Sequence, residues 1–149
     1  MIKIVTNSPV KTKEIAYKLG KLLDTGSLVI MTGDLGAGKT TFTQGIALGM
    51  GISKNVTSPT FTIMKVYKNA IPLYHIDAYR LEGLSQDLGL EEMMEDDGVC
   101  VIEWPIYIDE RLPKEYLNIN LKWIDDTTRE ITISARGKKY EEILEALTC

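Results

Sequence analysis

The sequence predicts an α/β fold: one sheet with a parallel centre and antiparallel hairpin additions, and helices on both faces. Three observations carry this reading. A strand, a glycine-rich turn and a helix follow one another from Ser27 to about Met50. The run Val99–Ile102 is apolar at every position, the pattern of a strand buried on both sides. Two hairpin patterns, Phe61–Ile76 and Tyr116–Ala135, lie outside the glycine-rich turn. A length of 149 residues suits a single domain spanning 1–149.

In chain order, Ile2–Val5 is a short strand. Thr12 stands where a helix N-cap would, at the start of a segment whose Ile15, Leu19, Leu22 and Leu23 share one helical face. Gly26 punctuates, and Ser27–Met31 reads as a strand. After the glycine-rich turn a second helix, Thr40 to about Met50, turns Phe42, Ile46, Ala47 and Met50 inward and ends at Gly49 and Gly51. Phe61–Tyr67 and Ile71–Ile76 form a hairpin turning at Lys68-Asn69-Ala70. A polar helix follows from about Leu84 to Glu95, then the strand Val99–Ile102. Tyr116–Ile124 and Glu130–Ala135 make a hairpin around Asp125–Thr128, and the helix Lys138–Leu147 closes the chain.

Composition removes several classes. An apolar content of 44% excludes disorder, and 12 Gly with 5 Pro exclude collagen-like or low-complexity sequence. Seventeen basic and 21 acidic side chains leave a net charge of −4, which argues against coating nucleic acid or an anionic membrane by bulk charge. No apolar run approaches the roughly twenty residues of a membrane span, and the N-terminus lacks the pattern of a secretion signal. Cys100 in an apolar strand and Cys149 at the last position make no disulfide framework. The expectation is a cytosolic protein without a membrane partner.

Gly33-Asp34-Leu35-Gly36-Ala37-Gly38-Lys39-Thr40 matches G-x-x-x-x-G-K-[ST], in the strand-to-helix context that the motif requires. Gly33, Gly36 and Gly38 permit positive φ and remove the Cβ atoms that would hold the backbone away from phosphate oxygens. Successive amides then converge on the anion at a helix N-terminus, where the macrodipole favours negative charge. Lys39 reaches toward β and γ phosphates, and the Thr40 hydroxyl is a ligand for Mg²⁺. The fold expected is a P-loop NTPase-like sheet.

Such a site needs an acid at a neighbouring strand end to hold Mg²⁺ or its water. Val99–Ile102 leads into Glu103, and Leu73–Ile76 leads into Asp77. Spacing leaves open which acid serves the metal and which orients water. The central position expected for Val99–Ile102 favours Glu103 near the metal with Asp77 alongside. Ser58-Pro59-Thr60-Phe61 occupies a switch-like position, with Thr60 offering a hydroxyl; an ST-turn led by Pro59 is the competing reading. His75, the only histidine, is either a structural donor or part of the chemistry. Arg80 suits a phosphate, a partner or a plain salt bridge. Trp104 suits the core, a lid or base stacking, and Cys100 the core.

No Asn-Lys-x-Asp guanine-reading motif follows the turn, so ATP is the expected nucleotide. The chain also lacks the Arg-rich lid insertions of small-molecule P-loop kinases. A kinase passing the γ-phosphate to a small molecule or protein is the alternative to a hydrolytic switch.

Taken in order, GDLGAGKTT, SPTF, HIDAYR, DLGLEE and VIEWP, from Gly33 to Pro105, resemble the TsaE family. These are bacterial P-loop ATPases needed to make threonylcarbamoyladenosine beside the anticodon of tRNAs. The resemblance implies ATP binding, slow hydrolysis by the chain alone, and action with TsaD, which transfers the threonylcarbamoyl group, and its supporting relative TsaB. It implies that tRNA is met indirectly, through those partners. Carried onto this sequence, the nucleotide contacts are Asp34, Leu35, Gly36, Ala37, Gly38, Lys39, Thr40 and Thr41, with Thr12 and Arg129 as further candidates. Thr40 and Glu103 lie at Mg²⁺, and Asp77 matches the acid assigned to hydrolysis. Ser58, Thr60, His75, Arg80 and Trp104 fall in motifs assigned to switching or partner contact.

Overall fold

The computed structural model describes residues 1–33, 38–53, 64–77, 98–103 and 114–148. Along these run β1 (Ile2–Thr6), α1 (Pro9–Leu22), β2 (Leu28–Gly33), α2 (Lys39–Gly49), β3 (Met64–Tyr67), β4 (Leu73–Asp77), β5 (Val99–Glu103), β6 (Tyr116–Trp123), β7 (Arg129–Arg136) and α3 (Lys138–Thr148). The described strands form one sheet in the order β1-β7-β6-β2-β5-β4-β3. β6, β2, β5 and β4 are mutually parallel across the centre. The pairs β1–β7, β6–β7 and β3–β4 are antiparallel. The parallel centre with antiparallel additions is thus present. Each hairpin donates one strand to that centre, so the C-terminal ends of β1, β2, β4, β5 and β6 gather at one edge of the sheet.

Side chains alternate across a strand with a period of two, and the register makes the alternation continuous from strand to strand. Val29, Met31, Val101, Leu117, Ile119, Leu121, Ile131 and Ile133 share one face. They form a core with Ala16, Leu19, Phe42, Ile46, Tyr140 and Ile143 of the three described helices. The opposite face buries Leu28, Ile30, Ile76, Cys100 and Ile102 at the sheet centre. Double-sided burial explains why Val99–Ile102 shows no polar alternation. The helix expected from Leu84 to Glu95 lies outside the described residues.

Helix α1 corrects one expectation. Its N-cap is Ser8, not Thr12: the Ser8 backbone is extended, its Oγ accepts the Lys11 N–H at 3.2 Å, and Pro9 occupies the first helical turn. Proline suits this position because its missing N–H has no intrahelical partner there anyway. Thr12 lies one turn further in, and its Oγ1 contacts the Ser8 carbonyl at 3.2 Å. Residues 61–63 of the strand expected from Phe61 lie outside the described residues; the other observed strands differ from the expected ones by one or two residues at their ends, β2 running on to Gly33 and β5 to Glu103.

Helices α1 and α2 pack backbone to backbone. A Cβ at Gly20 would collide with the Ile46 carbonyl, one at Gly49 with the Tyr17 carbonyl, and one at Gly45 with Ala16 and the Lys13 carbonyl. Helix α3 is tied to the β2 entrance, where the Leu28 N–H donates to Tyr140 Oη at 2.9 Å. Lys139 Nζ bonds Asp24 Oδ1 at 2.9 Å and donates to the Thr25 carbonyl at 3.1 Å.

Candidate functional site

The edge where the parallel strands end carries the chemistry-bearing residues, as expected of an open α/β sheet. Gly33 closes β2, and Gly38, with φ of 100°, opens α2 at an N-cap that makes no side-chain hydrogen bond. That left-handed backbone is open to glycine at little steric cost. The first amides of a helix have no intrahelical carbonyl partners and form an anion-binding end.

Lys39 is 8% exposed, and its Nζ donates to the Gly33 carbonyl at 2.9 Å, closing the span between β2 and α2. Thr40 and Thr41 are half-buried in the first turn. Thr43 fastens that turn from below: its Oγ1 donates to the Lys39 carbonyl at 2.9 Å and lies 3.5 Å from Met31 Sδ. Lys39 is therefore held on a helix seated against β2, the strand next to β5.

Glu103 ends β5 and is 4% exposed. In register it stands between Met31 of β2 and Asp77 of β4. Its Oε1 lies 3.0 Å from His75 Nε2, and the His75 ring is wholly buried. A carboxylate only accepts hydrogen bonds, so Nε2 carries the proton. His75 Nδ1 has no hydrogen-bonding partner. A lone strand histidine is thus brought onto a strand-end acid 28 residues away in sequence.

A second part of the site was not visible in the motifs. Pro9, Thr12, Gly38, Thr41, Asp126, Thr127 and Arg129 line a small cleft of about 50 Å³. Thr12 and Arg129, 117 positions apart, thereby meet the glycine-rich turn because Thr6 of β1 pairs with Arg129 of β7. The Thr12 hydroxyl is already engaged by Thr6 Oγ1 at 2.6 Å as well as by the Ser8 carbonyl. Arg129 Nη1 donates to the carbonyls of Asp125 at 2.6 Å and Thr128 at 3.0 Å, and its guanidinium lies 5.9 Å from the Trp123 ring centroid. Asp125 caps the same turn; hydrogen bonds from Thr127 and Thr128 hold its carboxyl below the usual carboxylate range. Sequence reasoning identified this turn as a turn, but Pro9, Asp126 and Thr127 carry no local signal of a site.

Asp34, Leu35, Gly36, Ala37, Ser58, Thr60, Arg80 and Trp104 lie outside the described residues. Cys100 is buried as expected, and burial pushes its thiol up to about 12. Among the described residues no helix is long and apolar enough to cross a membrane.

The metal question turns on donor chemistry. Among the described residues no three His, Cys, Asp or Glu side chains cluster into an all-protein cage. Glu103 nevertheless brings a buried carboxylate, and Thr40 a hydroxyl, to the edge where the glycine-rich turn opens. Oxygen donors with at most one or two carboxylates fit Mg²⁺, which takes its remaining ligands from water and substrate phosphates.

The profile of the family described as "Threonylcarbamoyl adenosine biosynthesis protein TsaE" matches residues 6–131. The chain is 48% identical over 148 residues to the tRNA threonylcarbamoyladenosine biosynthesis protein TsaE of Bacillus subtilis, covering 99% of this chain and 94% of that protein. It is 42% identical over 135 residues to the protein of the same name from Treponema pallidum, covering 89% and 100% respectively. The crystal structure of Bacillus subtilis YdiB superposes with a TM-score of 0.85 at 42% identity, over 99% of this chain and 93% of that one. With this likeness over nearly its full length, the chain belongs to the TsaE family of threonylcarbamoyladenosine biosynthesis proteins.

Proposed function

We propose that this chain is a Mg²⁺-dependent ATPase that acts as a nucleotide switch in tRNA threonylcarbamoyladenosine formation, hydrolysing ATP slowly alone and engaging a TsaB–TsaD complex. The observation that carries the reading is the convergence of Lys39, the α2 N-terminus, buried Glu103 and the Thr12–Arg129 cleft at one sheet edge.

In this reading the amides of the glycine-rich turn and the α2 N-terminus bind the phosphates. Lys39 exchanges the Gly33 carbonyl for phosphate oxygens and stabilises charge developing on the γ-phosphoryl group. Thr40 and Glu103 would hold Mg²⁺, which would supply positive charge to offset that of the phosphates. Asp77, beside Glu103 in register, orients the water for in-line attack. The cleft lined by Thr41, Asp126, Thr127 and Arg129 takes the nucleoside end. Slow intrinsic turnover follows if a partner must complete the switch.

The test is phosphate release from Mg-ATP by the purified chain, alone and with TsaB and TsaD from the same organism. A slow rate that the partners change, and that Lys39→Ala lowers on the order of 100-fold or more, is the expected result. Partners that neither bind nor alter the rate would overturn the switch. Label moving from γ-phosphate to an acceptor other than water would establish the phosphotransferase alternative instead.

A further inference from the structure

We infer that His75 is a positioning residue for Glu103, its Nε2–H holding one carboxylate oxygen so that the other faces a divalent cation at the phosphate end of the site. The inference rests on the reading of Glu103 as a Mg²⁺ ligand and deepens it.

The geometry supports this in three ways. First, His75 lies one pleat beneath the site. In the β4–β5 register His75 pairs with Val101 while Asp77 pairs with Glu103, so the imidazole sits a layer below the strand ends. It is wholly buried and cannot itself meet a nucleotide. Second, its polar contacts are one-sided. Nε2 meets Glu103 Oε1 at 3.0 Å, and Nδ1 has no partner. A histidine kept in the core for its own sake would use both nitrogens, because an unmet buried polar atom carries a free-energy cost. The single hydrogen bond that His75 makes serves Glu103.

Third, Glu103 needs that bond. A buried carboxylate is costly unless it is hydrogen-bonded or paired. The His75 N–H meets one oxygen and leaves the second available to a cation. Supports of this kind around metal ligands fix the ligand's orientation, and losing one costs about 10- to 100-fold in metal affinity or activity.

The reach of the imidazole makes the inference testable by substitution. Gln places an amide N–H near the position of Nε2, Asn places one near that of Nδ1, and Leu offers none. Binding of ADP to the full chain would be measured by calorimetry in Mg²⁺ and in EDTA. Binding of Mn²⁺ in the presence of ADP would be followed by electron paramagnetic resonance. His75→Gln should keep most of the affinity gained on adding metal. His75→Leu and His75→Asn should lose on the order of 10-fold or more of it, with affinity in EDTA unchanged. A merely structural histidine would instead lower the melting temperature and both affinities together.

Glu103→Gln separates the two readings. If it abolishes the metal-dependent gain while His75→Leu and His75→Asn retain it, His75 does not position Glu103. Equal loss in the Gln and Leu variants also overturns the proposal, because the donor at the Nε2 position would then be irrelevant. If Glu103→Gln keeps the full gain, Glu103 is not the metal ligand and the inference falls with it. Should the Leu variant fail to fold, Gln against Asn decides.

Discussion

Lys39 and Glu103 are both withdrawn from water; the Lys39 ammonium donates to the Gly33 carbonyl, and Glu103 Oε1 meets His75 Nε2. The pair between Asp24 and Lys139 is of the opposite kind, a solvated clasp between the α1–β2 turn and α3. The hydrogen bond from Lys139 lowers the Asp24 pKa below its ordinary 3.8, with the lysine charge and Ser27 adding to it against some desolvation. Because the folded pKa is depressed, the contribution is fully present above the unfolded value near 3.8 and is lost as pH falls through the lowered native value. Lys139→Met should return the Asp24 titration, followed by carboxyl NMR, toward 3.8. The Asp24 side chain is 68% exposed, so solvent screening limits the stability lost at pH 7 to about 1 kcal/mol or less in urea unfolding. An unchanged Asp24 titration in that variant would show that the clasp does not exist in solution.

At the scale of elements, α1 is set by the glycines that let α2 approach it, and Thr12 reaches the cleft only from that position. Gly20→Ala decides between two opposing effects. Alanine favours an isolated helix over glycine by about 1 kcal/mol. Here its Cβ would enter the Ile46 carbonyl, a backbone atom that no rotamer change can move. Overpacking costs about 1–3 kcal/mol or more, so the variant should be less stable by urea midpoint and bind ADP more weakly as α1 is pushed away. A variant more stable than the parent would show that the close contact does not constrain the helices. The parts legible in the sequence were those with local causes: the strand and helix that flank the glycine-rich turn, the apolar run of β5, and the turn at Asp125–Thr128. The Ser8 cap was also present in the sequence, since Pro9 marks a first helical turn, but Thr12 competed with it as a capping side chain. The His75–Glu103 contact had no local cause, because it depends on which residue of β4 pairs with which residue of β5. A shift of one residue there would turn His75 to the opposite face.

Taken whole, the molecule assembles its site from segments that are far apart in sequence and adjacent only through sheet order. The glycine-rich turn lies on β2 and α2, the acid on β5, Thr12 on α1, and Arg129 at the start of β7. Strand order was the least readable property, because β1 reaches the site through pairing with β7, the last strand of the chain. That topology makes a prediction distinct from any single contact. If the cleft between α1, α2 and the β6–β7 turn takes the nucleoside, ADP must protect all three segments together, since a ligand stabilises the elements it bridges. Amide hydrogen exchange with and without Mg-ADP should therefore slow in residues 6–12 and 125–129 as well as 33–41. Lys39→Ala should remove the protection from all three at once, because phosphate binding anchors the ligand in every one of these contacts. Arg129→Ala should loosen the turn that its guanidinium ties to the Asp125 and Thr128 carbonyls, and reduce protection at 6–12 and 125–129 while leaving 33–41 protected. Slowing confined to 33–41 in the parent chain would place the nucleoside outside the cleft and reduce Thr12 and Arg129 to parts of the scaffold.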